Sequence, residues 1–155
     1  MTALRCAAAL ALAAWIGSAT PAVAQGPTGC VISLTGVQFG TYDVFSAAPL
    51  RSTGTIVYRC GNRVRNMTIA FTRGQSSTYA PRTMRRAGEP LIYNLYLDAA
   101  LAVVWGDGSA GTSLYSVRNA RNNRDVEIPI YGSIPARQDV PAGTYTDDVT
   151  ATINF

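Results

Sequence analysis

The stretch GTYTDDVTATINF, residues 143–155, decides how the rest of the chain is read. Tyr145, Val149, Ala151, Ile153 and Phe155 occupy odd positions, and Thr146, Asp148, Thr150, Thr152 and Asn154 stand between them. This period of two predicts a half-buried β-strand, with Asp147 as its single break. No turn and no partner strand follows Phe155. An apolar strand edge left open is a template for pairing with another chain, so something is expected to cover it.

The same signature recurs upstream. CVISLTGVQFG begins at Cys30, TGTIVYRC puts Ile56, Tyr58 and Cys60 on one face, and NMTIAFTR does the same with Met67, Ile69 and Phe71. LIYNLYLD alternates Leu91, Tyr93, Leu95 and Leu97, and DVEIPIYGSI alternates Val126, Ile128 and Ile130. Breaks rich in Gly, Pro, Asn and Ser lie between them: SAAPLRSTG, RGQSSTYAPRT, RRAGEP, WGDGSAG, NARNNR and PARQDVPAG. Short strands at this spacing predict an all-β fold, a β-sandwich. Pro129 inside a strand pattern predicts an edge or a bulge there. A chain of 155 residues with 48% apolar and 14% charged residues fits one domain with a real core, not a disordered segment. The net charge of +4 is carried by arginine alone and reads as scattered, not as a nucleic-acid footprint on one element.

The N-terminus reads as an export signal. Arg5 precedes the apolar run CAAALALAAWIG, too short to span a bilayer, and Ala22-Val23-Ala24 has the small-x-small pattern of a cleavage site. Residues 1–24 are thus expected to be a signal peptide and 25–155 one domain with no membrane span after its removal. Cys6 would leave with the signal. Cys30 and Cys60 then allow a single disulfide in an oxidising compartment, with two free thiols as the alternative. Closing that loop would stabilise the fold by about 3–4 kcal/mol. With no histidine in the chain, a zinc site is not expected, and no cofactor is implied.

No constellation of catalytic residues emerges. Ser109 in WGDGSAG lacks the glycine two residues earlier that a nucleophile elbow needs, because Asp107 stands there. Asp147 and Asp148 are adjacent, so on a strand they face opposite ways. Asp125 and Glu127 share a face and read as solvated strand surface, Asp107 lacks calcium-loop spacing, and Asn66-Met67-Thr68 matches a glycosylation sequon. The densest basic run is RTMRR, with Arg82, Arg85 and Arg86. It reads as a solvated loop between strands or, in a functional reading, as an anion contact.

Several of these stretches together resemble one family. CVISLTGVQFGTYDVFS, STGTIVYRC, LIYNLYLDAALAVVWGDG and VEIPIYGSIPARQDVPAGTYTDDVTATINF are similar, in this order across residues 29–155, to the spore coat protein U domain. That family is similar to subunits of archaic chaperone–usher pili. The resemblance implies an immunoglobulin-like β-sandwich lacking its last strand. It implies three partners: a periplasmic chaperone that lends a strand, an outer-membrane usher, and a neighbouring pilus or coat subunit that replaces the chaperone strand. Tyr145, Val149, Ala151, Ile153 and Phe155 would face the core or line the groove, and Val31 and Leu34 would belong to the opposite wall. The carboxylate at Phe155 would be held by basic chaperone residues.

A polymerising subunit needs an alternating apolar segment before its first cysteine. QGPTGC offers only Pro27 and two glycines there, so the chain is expected to accept a strand without donating one, as a tip or terminal subunit. The leading expectation is a non-catalytic, exported subunit of a surface fibre or coat, passing through the periplasm to the cell surface and serving adhesion or biofilm formation. The alternative is a stand-alone secreted binding module, for carbohydrate or another surface ligand, with Trp105 or Arg82, Arg85 and Arg86 as contacts and no nucleic-acid partner.

Overall fold

The computed structural model describes residues 22–25 and 30–155, apart from the side chains of 22–25, 121 and 122. The expected signal peptide lies outside the described residues except for Ala22–Ala24, whose backbone enters the first strand.

All regular structure among the described residues is β: β1 (Ala22–Gln25), β2 (Cys30–Thr35), β3 (Leu50–Phe71), β4 (Arg82–Arg86), β5 (Glu89–Tyr96), β6 (Tyr115–Ile134) and β7 (Ala151–Asn154). The sheet runs β1-β2-β3-β6-β5-β4, with β7 also on β3. Its frame is the pair β3 and β6, of 22 and 20 residues, antiparallel from Leu50↔Ile134 to Ile69↔Tyr115. Their length departs from the sequence reading, which placed a break at NARNNR and split β3 in two. Inward apolar pairs explain the continuity: Val64 lies opposite Ala120 and Met67 opposite Val117, while register shifts between Tyr58 and Val64 absorb the polar insertions.

On the other edge of β3, β2 covers Thr55 to Cys60 and β7 covers Thr68 to Phe71. β5 joins β6 only at Tyr131, Gly132 and Ser133. Pro129, opposite Thr55, therefore sits where β6 is flanked by β3 alone, a local edge that tolerates a residue without an N–H. RTMRR is not a loop; it is β4, joined to β5 by a tight turn with Ala87 and Gly88 both at positive φ (47° and 97°). Arg85 and Thr146 exchange both backbone hydrogen bonds (2.9 and 3.2 Å). Segment 144–154 thus starts against β4 and ends against β3. The sheet curls into an incomplete immunoglobulin-like sandwich, open along one side.

Ile32, Ile56, Tyr58, Met67, Ile69, Trp105, Ile128, Ile130 and Ile134 fill the interior. Cys30 and Cys60 are directly paired across β2 and β3, buried, and joined by a disulfide. Trp105 stacks on Phe71 with ring centroids 4.5 Å apart and donates from Nε1 to the Ile69 carbonyl (2.9 Å). Beside it, Ser109 donates both its hydroxyl (2.6 Å) and its backbone N–H (2.9 Å) to Asp107 Oδ1. These bonds, with one from Tyr79, hold the Asp107 carboxyl down to about 2. Ser109 opens a turn, its carbonyl accepting from Thr112 N and its hydroxyl held by Asp107.

Two outcomes follow for stability. Replacing Cys30 and Cys60 together by alanine lowers unfolding free energy by about 3–4 kcal/mol, read from the urea midpoint. An unchanged midpoint would show that the bridge adds nothing. Because the folded pKa of Asp107 is depressed, its contribution is full above its ordinary value of 3.8 and is lost as pH falls toward about 2. Trp105 emission should shift over that window, and Asp107→Asn should remove the transition.

Candidate functional site: an open groove between two unpaired segments

β2 stops pairing at Thr35, but the chain runs on across the sheet and keeps its alternation, with Val37 and Phe39 half-buried and Gln38 exposed. Two glycines make room for it. A Cβ on Gly54 would lie 2.6 Å from the Thr35 carbonyl oxygen, and one on Gly132 would lie 2.7 Å from both Phe39 and Val37. Side chains tether the segment further along. Ser52 Oγ donates to the Gln38 carbonyl (2.5 Å), and the Tyr42 hydroxyl donates to the Pro135 carbonyl while accepting from Gln138 N (both 2.8 Å). Among the described residues, 36–42 make no backbone–backbone hydrogen bond.

The facing wall is 145–149. Tyr145, Asp147 and Val149 are half-buried, and Thr146 and Asp148 are exposed. Thr146 spends its N–H and C=O on Arg85, so those of Tyr145 and Asp147 point the opposite way, into the gap. Leu34, Val37 and Phe39 on one side and Tyr145 and Val149 on the other enclose a groove floored by Phe71, Met84, Leu95 and Ile130. It continues past Tyr42 toward Val140 and Pro141.

Asp147, the break in the terminal alternation, faces inward with Tyr145 and Val149. Its carboxylate accepts from the Tyr93 hydroxyl (2.6 Å) and from Gln75 N (2.7 Å), which fastens the wall to β5 and to the turn after β3. Gly74, at φ 63°, leaves the space that this carboxylate fills. Burial first, and then the Asp147 hydrogen bond, push the Tyr93 phenol far above its ordinary range, so it stays a donor. Arg82 lies in the same network, fully buried. Its guanidinium donates to Asn94 Oδ1 (2.7 Å) and to the carbonyls of Trp105 (2.6 Å) and Thr72 (3.0 Å), and stands over the Tyr79 ring at 5.3 Å. Burial lowers its pKa.

Of the residues expected at the groove, Leu34, Tyr145 and Val149 line it. Ala151 and Ile153 are half-buried against the core in β7, paired to β3, and Phe155 lies beyond β7, 38% exposed. Val31 corrects the expectation: with Cys30 and Ile32 turned inward, alternation puts Val31 on the outer face, 46% exposed, beside Ser33 and Val57. Trp105 and Arg82 are also corrected, because both are 0% exposed and cannot touch a surface ligand. Of that cluster only Arg85 is exposed, and Arg86 packs beneath Gly143. Val37, Phe39, Met84, Leu95 and Ile130 were not named for the groove. The continued alternation of Val37 and Phe39 was the available signal. Among the described residues no three His, Cys, Asp or Glu side chains gather as metal ligands, and no helix is long and apolar enough to cross a membrane.

Removing the Asp147 carboxylate leaves the Tyr93 hydroxyl and Gln75 N–H without their acceptor. Asp147→Ala should therefore cost about 1–3 kcal/mol in urea unfolding, with less for Asp147→Asn, which keeps one acceptor. Equal stability of Asp147→Ala and the parent would remove the clamp.

Comparison with known proteins agrees with this geometry. The Spore Coat Protein U domain matches residues 18–152. Protein U of Myxococcus xanthus is 36% identical over 134 residues, covering 77% of this chain and 71% of its own. Among solved structures, the CsuC–CsuE complex, a chaperone–tip adhesion subunit pre-assembly complex from archaic chaperone–usher Csu pili of Acinetobacter baumannii, matches with a TM-score of 0.56 and 25% identity. The match covers 81% of this chain and 39% of the solved one, so this chain spans well under half of that protein's length. The chain belongs to the Spore Coat Protein U domain family.

Proposed function

We propose that this chain is a non-catalytic structural subunit of a surface pilus or coat assembled by the chaperone–usher route, and that its groove accepts a β-strand from a second polypeptide. The observation that carries this reading is the unpaired backbone of 36–42 facing that of Tyr145 and Asp147 across an apolar floor. An inserted strand would satisfy both walls and bury alternate side chains on Phe71, Met84, Leu95 and Ile130. An occupant running the length of 36–42 needs about seven residues, roughly 23 Å of extended chain. The strand comes from a periplasmic chaperone during export and from a neighbouring subunit in the fibre, with the usher between the two.

The signal-like composition of 1–24 and the Cys30–Cys60 bridge support export through an oxidising compartment to the cell surface. A place at a fibre end rests on the glycines and Pro27 between Gln25 and Cys30, which supply no alternating apolar segment to donate. N-terminal sequencing of the mature protein tests that finer point: a start well before Thr20 would return the chain to the shaft.

Made in the periplasm without its chaperone, the protein should aggregate; co-expressed with it, the protein should be recovered as a soluble complex. Leu34→Arg and Val149→Arg, which put charge into the groove, should abolish the complex, and Val31→Arg, on the outer face, should leave it intact. A stable monomer made alone, with slow amide exchange throughout 36–42, would refute the reading.

A further inference from the structure

A second surface, remote from the groove in the strand register, remains without a role. Between the part of β3 covered by β2 and the part covered by β7, residues 61–67 pair, among the described residues, with β6 alone, and β5 does not reach the facing stretch of β6. This bulged two-stranded ribbon collects arginines that lie far apart in sequence. Arg59, Arg63 and Arg65 stand on β3, and Arg118 and Arg124 on β6, all of them exposed. The register sets Arg65 opposite Asn119, beside Arg118. Asp125 is the single acidic residue in 59–66 and 116–125, and Arg59 holds it at 2.8 Å. Arg63, Arg65, Arg118 and Arg124 have no hydrogen-bond or ion-pair partner among the described residues.

We infer that this ribbon binds an acidic polysaccharide through its guanidinium groups. Planar guanidinium forks match carboxylates in two-point fashion, and alternate positions on a strand repeat at about 7 Å, a spacing suited to a linear polyanion. Between the arginines stand the exposed Asn62, Asn66, Asn119 and Asn123, whose amides both donate to and accept from hydroxyls. The ribbon carries no aromatic residue in 59–66 or 116–125, so it has no platform on which bases of a single strand would stack. Its apolar members Val64, Met67 and Ala120 are buried and Val117 is half-buried against the core, which leaves no exposed apolar side chain to enter a lipid surface. Charge on an uncovered edge also discourages edge-to-edge pairing, but that purpose needs neither a single sign nor arginine on both strands.

The test uses the full chain, as the soluble complex in which it is recovered, and fluorescein-labelled alginate as the polyuronate, followed by anisotropy at several salt concentrations. The parent should bind alginate, with uncharged dextran as the blank, and lose affinity steeply as salt rises. The variant R63Q/R65Q/R118Q/R124Q should bind at least tenfold more weakly at an unchanged melting temperature, and the control R51Q/R137Q should bind within twofold of the parent. Replacing the four arginines by lysine should recover only part of the loss. Three results would overturn the inference: equal binding by the glutamine variant, an equal loss in the control, or tighter binding of a single-stranded oligonucleotide or of anionic vesicles than of alginate. Self-association of the glutamine variant with undiminished alginate binding would make the arginines edge guards.

Discussion

Backbone polar groups inside an apolar groove must find partners, and among the described residues a run of them has no backbone partner. Residues 36–42 lie over the core with Val37 and Phe39 turned in, yet among the described residues their N–H and C=O groups pair with no strand backbone, and the Gln38 carbonyl is met by the Ser52 hydroxyl. An unsatisfied buried amide costs about 1–3 kcal/mol, so a row of them cannot stay dry. Either water enters the groove and wets Phe71 and Ile130, or a strand does. This choice makes the fold a component and not a finished domain.

Two long strands make the opening possible. β3 and β6 pair over nearly their whole length, so the sheet does not depend on its flanks for register. Their shared glycine positions, Gly54 and Gly132, bring the 35–39 segment down onto the sheet, where any side chain would push it away. The disulfide pins β2 at Cys60, between the two register shifts. Beyond that pin, as far as β7, the same two strands have no further partner strand among the described residues and carry the arginine ribbon. The groove and the ribbon thus share a scaffold but no residues.

Much of this was legible in the sequence, and the misses have physical causes. The terminal alternation holds residue by residue from Tyr145 to Ile153, because a half-buried strand leaves a period of two whatever its partner. The family resemblance placed the groove between the first cysteine strand and the last strand. What failed was long-range. Val31 was assigned to the wall because apolar character alone does not tell which face a strand buries, whereas the disulfide at Cys30 does. Arg82 looked like surface because it sits in a basic run, and nothing local reveals that Asn94 and the Thr72 and Trp105 carbonyls surround it. The arginines read as scattered because only the pairing of β3 with β6 brings Arg63 and Arg65 near Arg118. NARNNR looked like a break because its one apolar residue is Ala120.

The buried polar cluster beside the groove explains how an open site can stay shaped. Replacing a buried charge by a well-packed apolar residue is often neutral or stabilising, so stability alone does not account for the buried Arg82 or for the half-buried Asp147 near it. What they supply is position. Arg82 joins the chain after β3, β5 and the Trp105 turn, while Asp147 ties the terminal wall to Tyr93 and Gln75. Both reach their partners without using the backbone groups of Tyr145 and Asp147 that face the gap. The wall is therefore held from behind, leaving its free edge available. A strand that enters finds the terminal wall already set and gives up less free energy to ordering it. An apolar clamp in the same place would pack as tightly, but it would lack the directional bonds that stop the wall from sliding into the cavity it is meant to border.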